Sequence, residues 1–127
     1  EGFIAISPWA PSFPYEFWIC PKKHSTNFSK ISQKEINDLA LILRATLGGL
    51  SKKIKNVSYS FAFHLSPEKK NSKQIHWHLE IYPKIHPWSG LETGFGMFHN
   101  MLSPEKAAEE LGAYCRKELS LLVGILD

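Results

Sequence analysis

The chain has 127 residues, the length of one ordinary domain, so we take 1–127 as a single unit. Its apolar fraction of 43% and aromatic fraction of 13% are enough for a packed core, and eight Gly and eight Pro are near average usage, which excludes disordered and collagen-like classes. The formal charge of +3, with Arg only at Arg44 and Arg116, gives no dense basic face for nucleic acid, and no apolar run nears the roughly 18 residues of a membrane span.

The chain starts on Glu1 rather than Met, and Pro8, Pro11 and Pro14 interrupt any signal-type apolar run. This reads as a processed product or an excised piece of a longer chain. Gly-Phe-Ile-Ala-Ile at 2–6 predicts a short buried strand. Its proline-rich continuation predicts an extended, aromatic-bearing connection, because proline removes donors and fixes φ. Tyr15 to Cys20 predicts a second strand ended by Pro21, and residues 21–30 a polar loop carrying His24.

Ser32 and Glu35 form a capping box that opens a helix. Its apolar face is Ile36, Leu39, Ala40, Leu43, Leu47 and Leu50, and Gly48 and Gly49 weaken its last turns. Residues 57–64 alternate with period two and predict a half-buried strand; 65–73 read as a hairpin-type connection, 74–82 as a strand stopped by Pro83, and 92–101 as a Gly-punctuated fifth strand. Ser103 as N-cap with Pro104 at the first helical position opens the last helix, loosened at Gly112. The order is β-β-α-β-β-β-α. Short connections between strands favour an antiparallel sheet with two main helices packed on it, an α+β fold. Cys20 and Cys115 are far apart with no partner motif, which points to a reduced, cytoplasmic setting.

The histidines carry the chemistry. In His76-Trp77-His78-Leu79-Glu80-Ile81-Tyr82, alternate residues of a strand share a face. His76, His78 and Glu80 then point one way, and Trp77, Leu79 and Ile81 make a core face. Three such polar groups are costly to bury unless paired, metal-bound or facing a cleft; the bland alternative is a solvated strand face. His64 ends the preceding strand, so His64, His78 and Glu80 form one possible metal set, and His24 with His76 half of another. His86 and His99 read as isolated loop histidines. No Gly-x-Gly-x-x-Gly, Walker loop or Gly-x-Ser-x-Gly is present.

The stretch His-Trp-His-Leu-Glu-Ile-Tyr-Pro at 76–83 resembles the C-terminal domain of galactose-1-phosphate uridylyltransferases, in the histidine-triad superfamily. Phe3 to Ile19 with Pro21-Lys-Lys-His24 resembles that domain's opening strands. Glu92-x-Gly94-x-Gly96-Met-x-x-Asn100 and Ser103 to Leu111 resemble its hexose-facing segment and final helix. The resemblance implies a histidine-triad-like domain, the C-terminal half of a two-domain transferase that exchanges a nucleotidyl group between a nucleotide sugar and a hexose 1-phosphate. In that family the nucleophile is the second His of His-Pro-His-x-Gln on the N-terminal catalytic domain, and it attacks phosphorus to form a covalent intermediate. That motif is absent here, which leaves His78 as a secondary candidate only.

The same resemblance implies that His64, His78 and Glu80 bind a metal, zinc or alternatively iron. It also implies that His24 and His76 bind zinc with an upstream Cys pair that this sequence lacks. Glu92, Gly94, Phe95 and Asn100 then contact the sugar phosphate, in some relatives across a homodimer interface. Gly112 departs from the Arg common there. Two other readings stay open: a stand-alone histidine-triad-like nucleotide hydrolase or phosphorylase, and a non-catalytic metal-binding dimerization domain.

Overall fold

Alternating apolar side chains on three strands need a cover, and two long helices supply it. The computed structural model describes residues 1–25, 27–66 and 76–126. The strands are Phe3–Ile6 (β1), Phe17–Pro21 (β2), Ser58–His64 (β3) and His78–Lys84 (β4). They form one antiparallel sheet in the order β1-β2-β4-β3. The helices are Gln33–Lys53 (α1) and Pro104–Leu126 (α2). The α+β architecture expected from the sequence is present, with the expected antiparallel pairing of β3 and β4.

The core lies between the helices and one sheet face. Phe3, Phe17, Ile19, Trp77, Leu79 and Ile81 pack against Leu50 of α1 and Leu111 of α2. Each such side chain, once buried, contributes about 1.5–3 kcal/mol. Trp77, Leu79 and Ile81 are at most 1% exposed, as the alternation predicted. No β3 residue belongs to this cluster. Phe61 and Phe63 are exposed although they share the face of Ile81 and Leu79, so β3 is not the half-buried strand expected. It is an edge strand, and the core-forming part of the helix pair lies over the other three.

Ser32 caps α1 with the reciprocal Glu35 box. Most of the expected face of α1 turns inward: Leu50 is buried and Leu39, Leu43 and Leu47 pack against the core, joined by buried Ala45, Thr46 and Gly49, while Ile36 and Ala40 are exposed. Gly48 and Gly49 do not end the helix. At Gly49 α2 approaches closely, since a Cβ there would lie 2.7 Å from Cys115 Sγ and 2.8 Å from its backbone nitrogen. α2 runs unbroken through Gly112, where the Arg116 guanidinium folds into the space a side chain would fill.

Strand boundaries differ from expectation: β2 starts at Phe17 and includes Pro21, and β4 starts at His78 and continues through Pro83 to Lys84. Proline fits because β2 pairs with β4 only at Leu79 to Ile81, so no donor is required toward β2 at position 83. The expected fifth strand at 92–101 is absent: Leu91–Phe95 is one π-helical turn ended by Gly96 at φ 65, with irregular chain after it. Glu92 folds this segment on itself, accepting from the backbone N–H groups of Ser89 (2.9 Å) and His99 (3.2 Å). Residues 74 and 75 of the predicted strand, and most of the 65–73 connection, lie outside the described residues.

Candidate metal centre

The sheet face opposite the helices carries the polar set. Register places His64 opposite His78, Ala62 and Trp18 opposite Glu80, and Ser60 opposite Tyr82. Strand alternation alone therefore puts Trp18, His78, Glu80, Tyr82 and His64 on one surface.

Glu80 is the hub, only 7% exposed. Its Oε1 lies 2.9 Å from His78 Nε2 and 3.4 Å from His64 Nε2. Its Oε2 accepts a short hydrogen bond from the Tyr82 hydroxyl. That bond and burial, with burial the larger cause, push the Tyr82 phenol well above its ordinary value. The His78 Nδ1 is 3.0 Å from the His76 carbonyl oxygen, which can only accept. Nδ1–H therefore donates to that carbonyl, which leaves Nε2 facing Glu80 and His64. The imidazoles of His64 and His78 stack at 5.0 Å and 14°. One ligand atom from each of His64, His78 and Glu80 lies within 4.8 Å of the others. Two imidazole nitrogens and a carboxylate, converging with a hydrogen-bonded second layer, suit a zinc-type cation.

His76 takes no part in that cluster, since it precedes β4 rather than lying on it. Its ring meets that of His24 edge-on at 5.1 Å. Its Nε2 is buried with no hydrogen-bond partner among the described residues. An orphaned buried nitrogen beside a second imidazole fits half of a metal site. The sequence thus named five candidate ligands, and the structure sorts them into a trio and a pair.

The other expected site residues sit elsewhere. Glu92 lines a cavity of about 540 Å³ with Ser12, Tyr15, Trp88, His86 and His99. Its carboxyl is held down at about 2 by hydrogen bonds from the Ser89 hydroxyl and backbone and from the His99 backbone. Asn100 donates to the Pro11 carbonyl (3.2 Å) and accepts from the Leu102 N–H (3.0 Å), tying this segment to the β1–β2 connection. Phe95 is 77% exposed, and Gly94 lies in the π-helical turn. Sequence reading placed His86 and His99 on the surface and passed over Tyr82, Glu16 and Trp18. For Tyr82 the signal was available, since it shares strand parity with His78 and Glu80.

No protein-family model matches the chain. The ADP-glucose phosphorylase of Arabidopsis thaliana is 33% identical over 110 residues, covering 84% of this chain and 31% of that protein. The galactose-1-phosphate uridylyltransferase of Thermotoga maritima is 31% identical over 120 residues, 87% of this chain and 38% of that protein. A solved uridylyltransferase structure superposes with a TM-score of 0.83 at 27% identity, covering 92% of this chain and 40% of that one. The chain is a homologue of galactose-1-phosphate uridylyltransferases. Its fold is that of histidine-triad proteins: a histidine triad nucleotide-binding protein of Sulfolobus tokodaii superposes with a TM-score of 0.61 at 18% identity. The chain spans about a third of the length of the curated relatives it matches. Among the described residues, no helix is long and apolar enough to cross a membrane.

Proposed function

We propose that this chain is the C-terminal domain of a nucleotidyltransferase that exchanges a nucleotidyl group between a nucleotide sugar and a hexose 1-phosphate, as a uridylyltransferase. It works beside an N-terminal catalytic domain, in a homodimer of the cytoplasm. One observation carries the domain's role: His78 Nε2 is occupied. It points at Glu80 at 2.9 Å, beside His64, and stands ready as a ligand rather than open for attack on phosphorus. A nucleophilic imidazole needs a free lone pair aimed at the reacting atom. The nucleophile therefore belongs to the other domain, and this one supplies support.

In this reading His64, His78 and Glu80 hold zinc, with iron as the alternative. Bound there, a cation would supply fixed positive charge between His64 on β3 and His78 and Glu80 on β4. Tyr82 orients Glu80, and the His76 carbonyl fixes the tautomer of His78. His24 and His76 contribute two ligands to a second zinc site completed by residues outside this chain. Glu92, Gly94, Phe95 and Asn100 form the sugar-phosphate segment, held in shape by the ionised Glu92. Similarity to an ADP-glucose phosphorylase favours a second reading, in which the nucleotide sugar carries adenosine and inorganic phosphate replaces the hexose 1-phosphate.

The test incubates the purified chain with UDP-glucose or ADP-glucose and reads intact mass. No nucleotidylated protein is expected from either. A stable adduct mapping to His78 would overturn the support role and favour a self-sufficient enzyme.

A further inference from the structure

We propose that Glu16 and Trp18 are positioning residues that set the ring plane of His78 for metal binding. The proposal rests on the reading of His64, His78 and Glu80 as a metal centre.

Glu16 is 5% exposed, in the bend that enters β2. A buried carboxylate is costly unless its oxygens are used, and here both are. Oε2 accepts from the backbone N–H groups of Ser12 (2.7 Å) and Phe13 (3.2 Å). Oε1 accepts from the Trp18 indole N–H at 3.1 Å. Tyr15 just before it has φ 59, a left-handed conformation that is disfavoured for a non-glycine residue. Its hydroxyl is anchored to Glu110 on α2 at 2.5 Å, which holds the bend in that shape. The bend thus aims Glu16 inward, and Glu16 fixes the indole.

The indole lies on the His78 imidazole, with centroids 4.7 Å apart and planes at 23°. His64 covers the other side of the same ring at 5.0 Å and 14°. Strand order explains the stack, because β4 lies between β2 and β3. Held on both faces, the His78 ring can present only its edges: Nδ1 to the His76 carbonyl and Nε2 to Glu80. His64 is itself a ligand of the trio, so Trp18 is the one non-ligand wall of the stack. Groups that orient a ligating imidazole typically carry 10–100-fold in metal affinity.

The experiment strips the chain with chelator and titrates Co²⁺, following visible absorption for affinity and coordination. It also records long-range ¹⁵N–¹H correlations of the metal-free protein for the His78 tautomer. Trp18→Leu removes the stack. Glu16→Gln keeps the volume but turns an amide NH₂ on N–H donors, so it tests the same device without altering the core. Trp18→Phe keeps a ring and loses only the indole N–H. Trp18→Leu and Glu16→Gln are each expected to weaken Co²⁺ about 10–100-fold, change its absorption bands and mix the His78 tautomers, with Trp18→Phe in between.

If folded Trp18→Leu and Glu16→Gln both keep wild-type affinity, bands and tautomer, the positioning role is wrong and the metal centre stands. If wild type and His78→Ala bind Co²⁺ equally, or neither binds, the metal centre is wrong and the proposal falls with it.

Discussion

Replacing Gly49 by Ala tests the helix contact that backs the sheet. A Cβ at Gly49 would sit 2.7 Å from Cys115 Sγ, 2.8 Å from its nitrogen and 2.9 Å from its Cα, and two of those atoms are backbone. Neither helix can yield by turning a side chain, so α1 and α2 must separate. A gap of about 0.5–1 Å forfeits a quarter to a half of each dispersion contact across the seam, and overpacking costs about 1–3 kcal/mol. Alanine's better helix propensity returns about 1 kcal/mol. The net loss is up to about 2 kcal/mol. With about 2.1 cal/mol/K of unfolding entropy per residue, 1 kcal/mol moves Tm by about 4 °C in a 127-residue chain, so Tm falls by up to about 8 °C. Gly48→Ala is the internal control, because its Cβ meets only the flexible Glu118 carboxylate at 3.1 Å. It keeps the propensity gain and leaves Tm unchanged or raised by up to about 4 °C. Calorimetry of the two variants reads the difference directly. Equal shifts of the same sign would refute the close approach.

Cys115 should be slow to alkylate: burial, then the charge of Glu118, raises its thiol to about 11 against the shielding of Arg116. From an ordinary value of 9.0, that shift lowers the thiolate fraction near pH 8 by about 100-fold, so iodoacetamide modification of the folded chain should lag a peptide thiol by about that factor. Equal rates would show the thiol is not buried. The Glu92 carboxyl is lowered to about 2, so its contribution is present above the ordinary value of 4.5 and is lost as pH falls from 4.5 toward 2. Urea melts should show the stability gap between wild type and Glu92→Gln narrowing across that window; a constant gap would mean that the ionised carboxylate does not order the 89–100 segment.

Local chemistry made much of this molecule legible from its residues. The Ser32–Glu35 box, the Trp77-Leu79-Ile81 core face and the shared face of His78 and Glu80 all follow from spacing, because caps and strand parity act over a few residues. The misreadings came where a distant group decides the outcome. Gly48-Gly49 reads as a weak helix end until α2 is laid against it. The 92–101 segment alternates like a strand, yet one carboxylate gathers it into a turn. His76 shares parity with His78, but β4 begins after it, and its ring turns to His24 instead.

The same distinction explains why the site's supporting groups went unseen. A ligand residue announces itself by type, whereas Glu16 and Trp18 matter only through register. β2 must pair with β4 so that Trp18 opposes Glu80 before the indole can reach His78 at all. One residue of slip would turn Trp18 to the helix side and leave Glu16 with an unmade bond, at about 1–3 kcal/mol for a buried unsatisfied group. The Tyr15 bend, anchored on α2 through Glu110, opposes that slip at the entry to β2. Helix packing, strand register and the orientation of His78 are therefore one coupled arrangement. A variant that loosens α2 near Glu110 should disturb the His78 ring even though none of His64, His78 and Glu80 has changed.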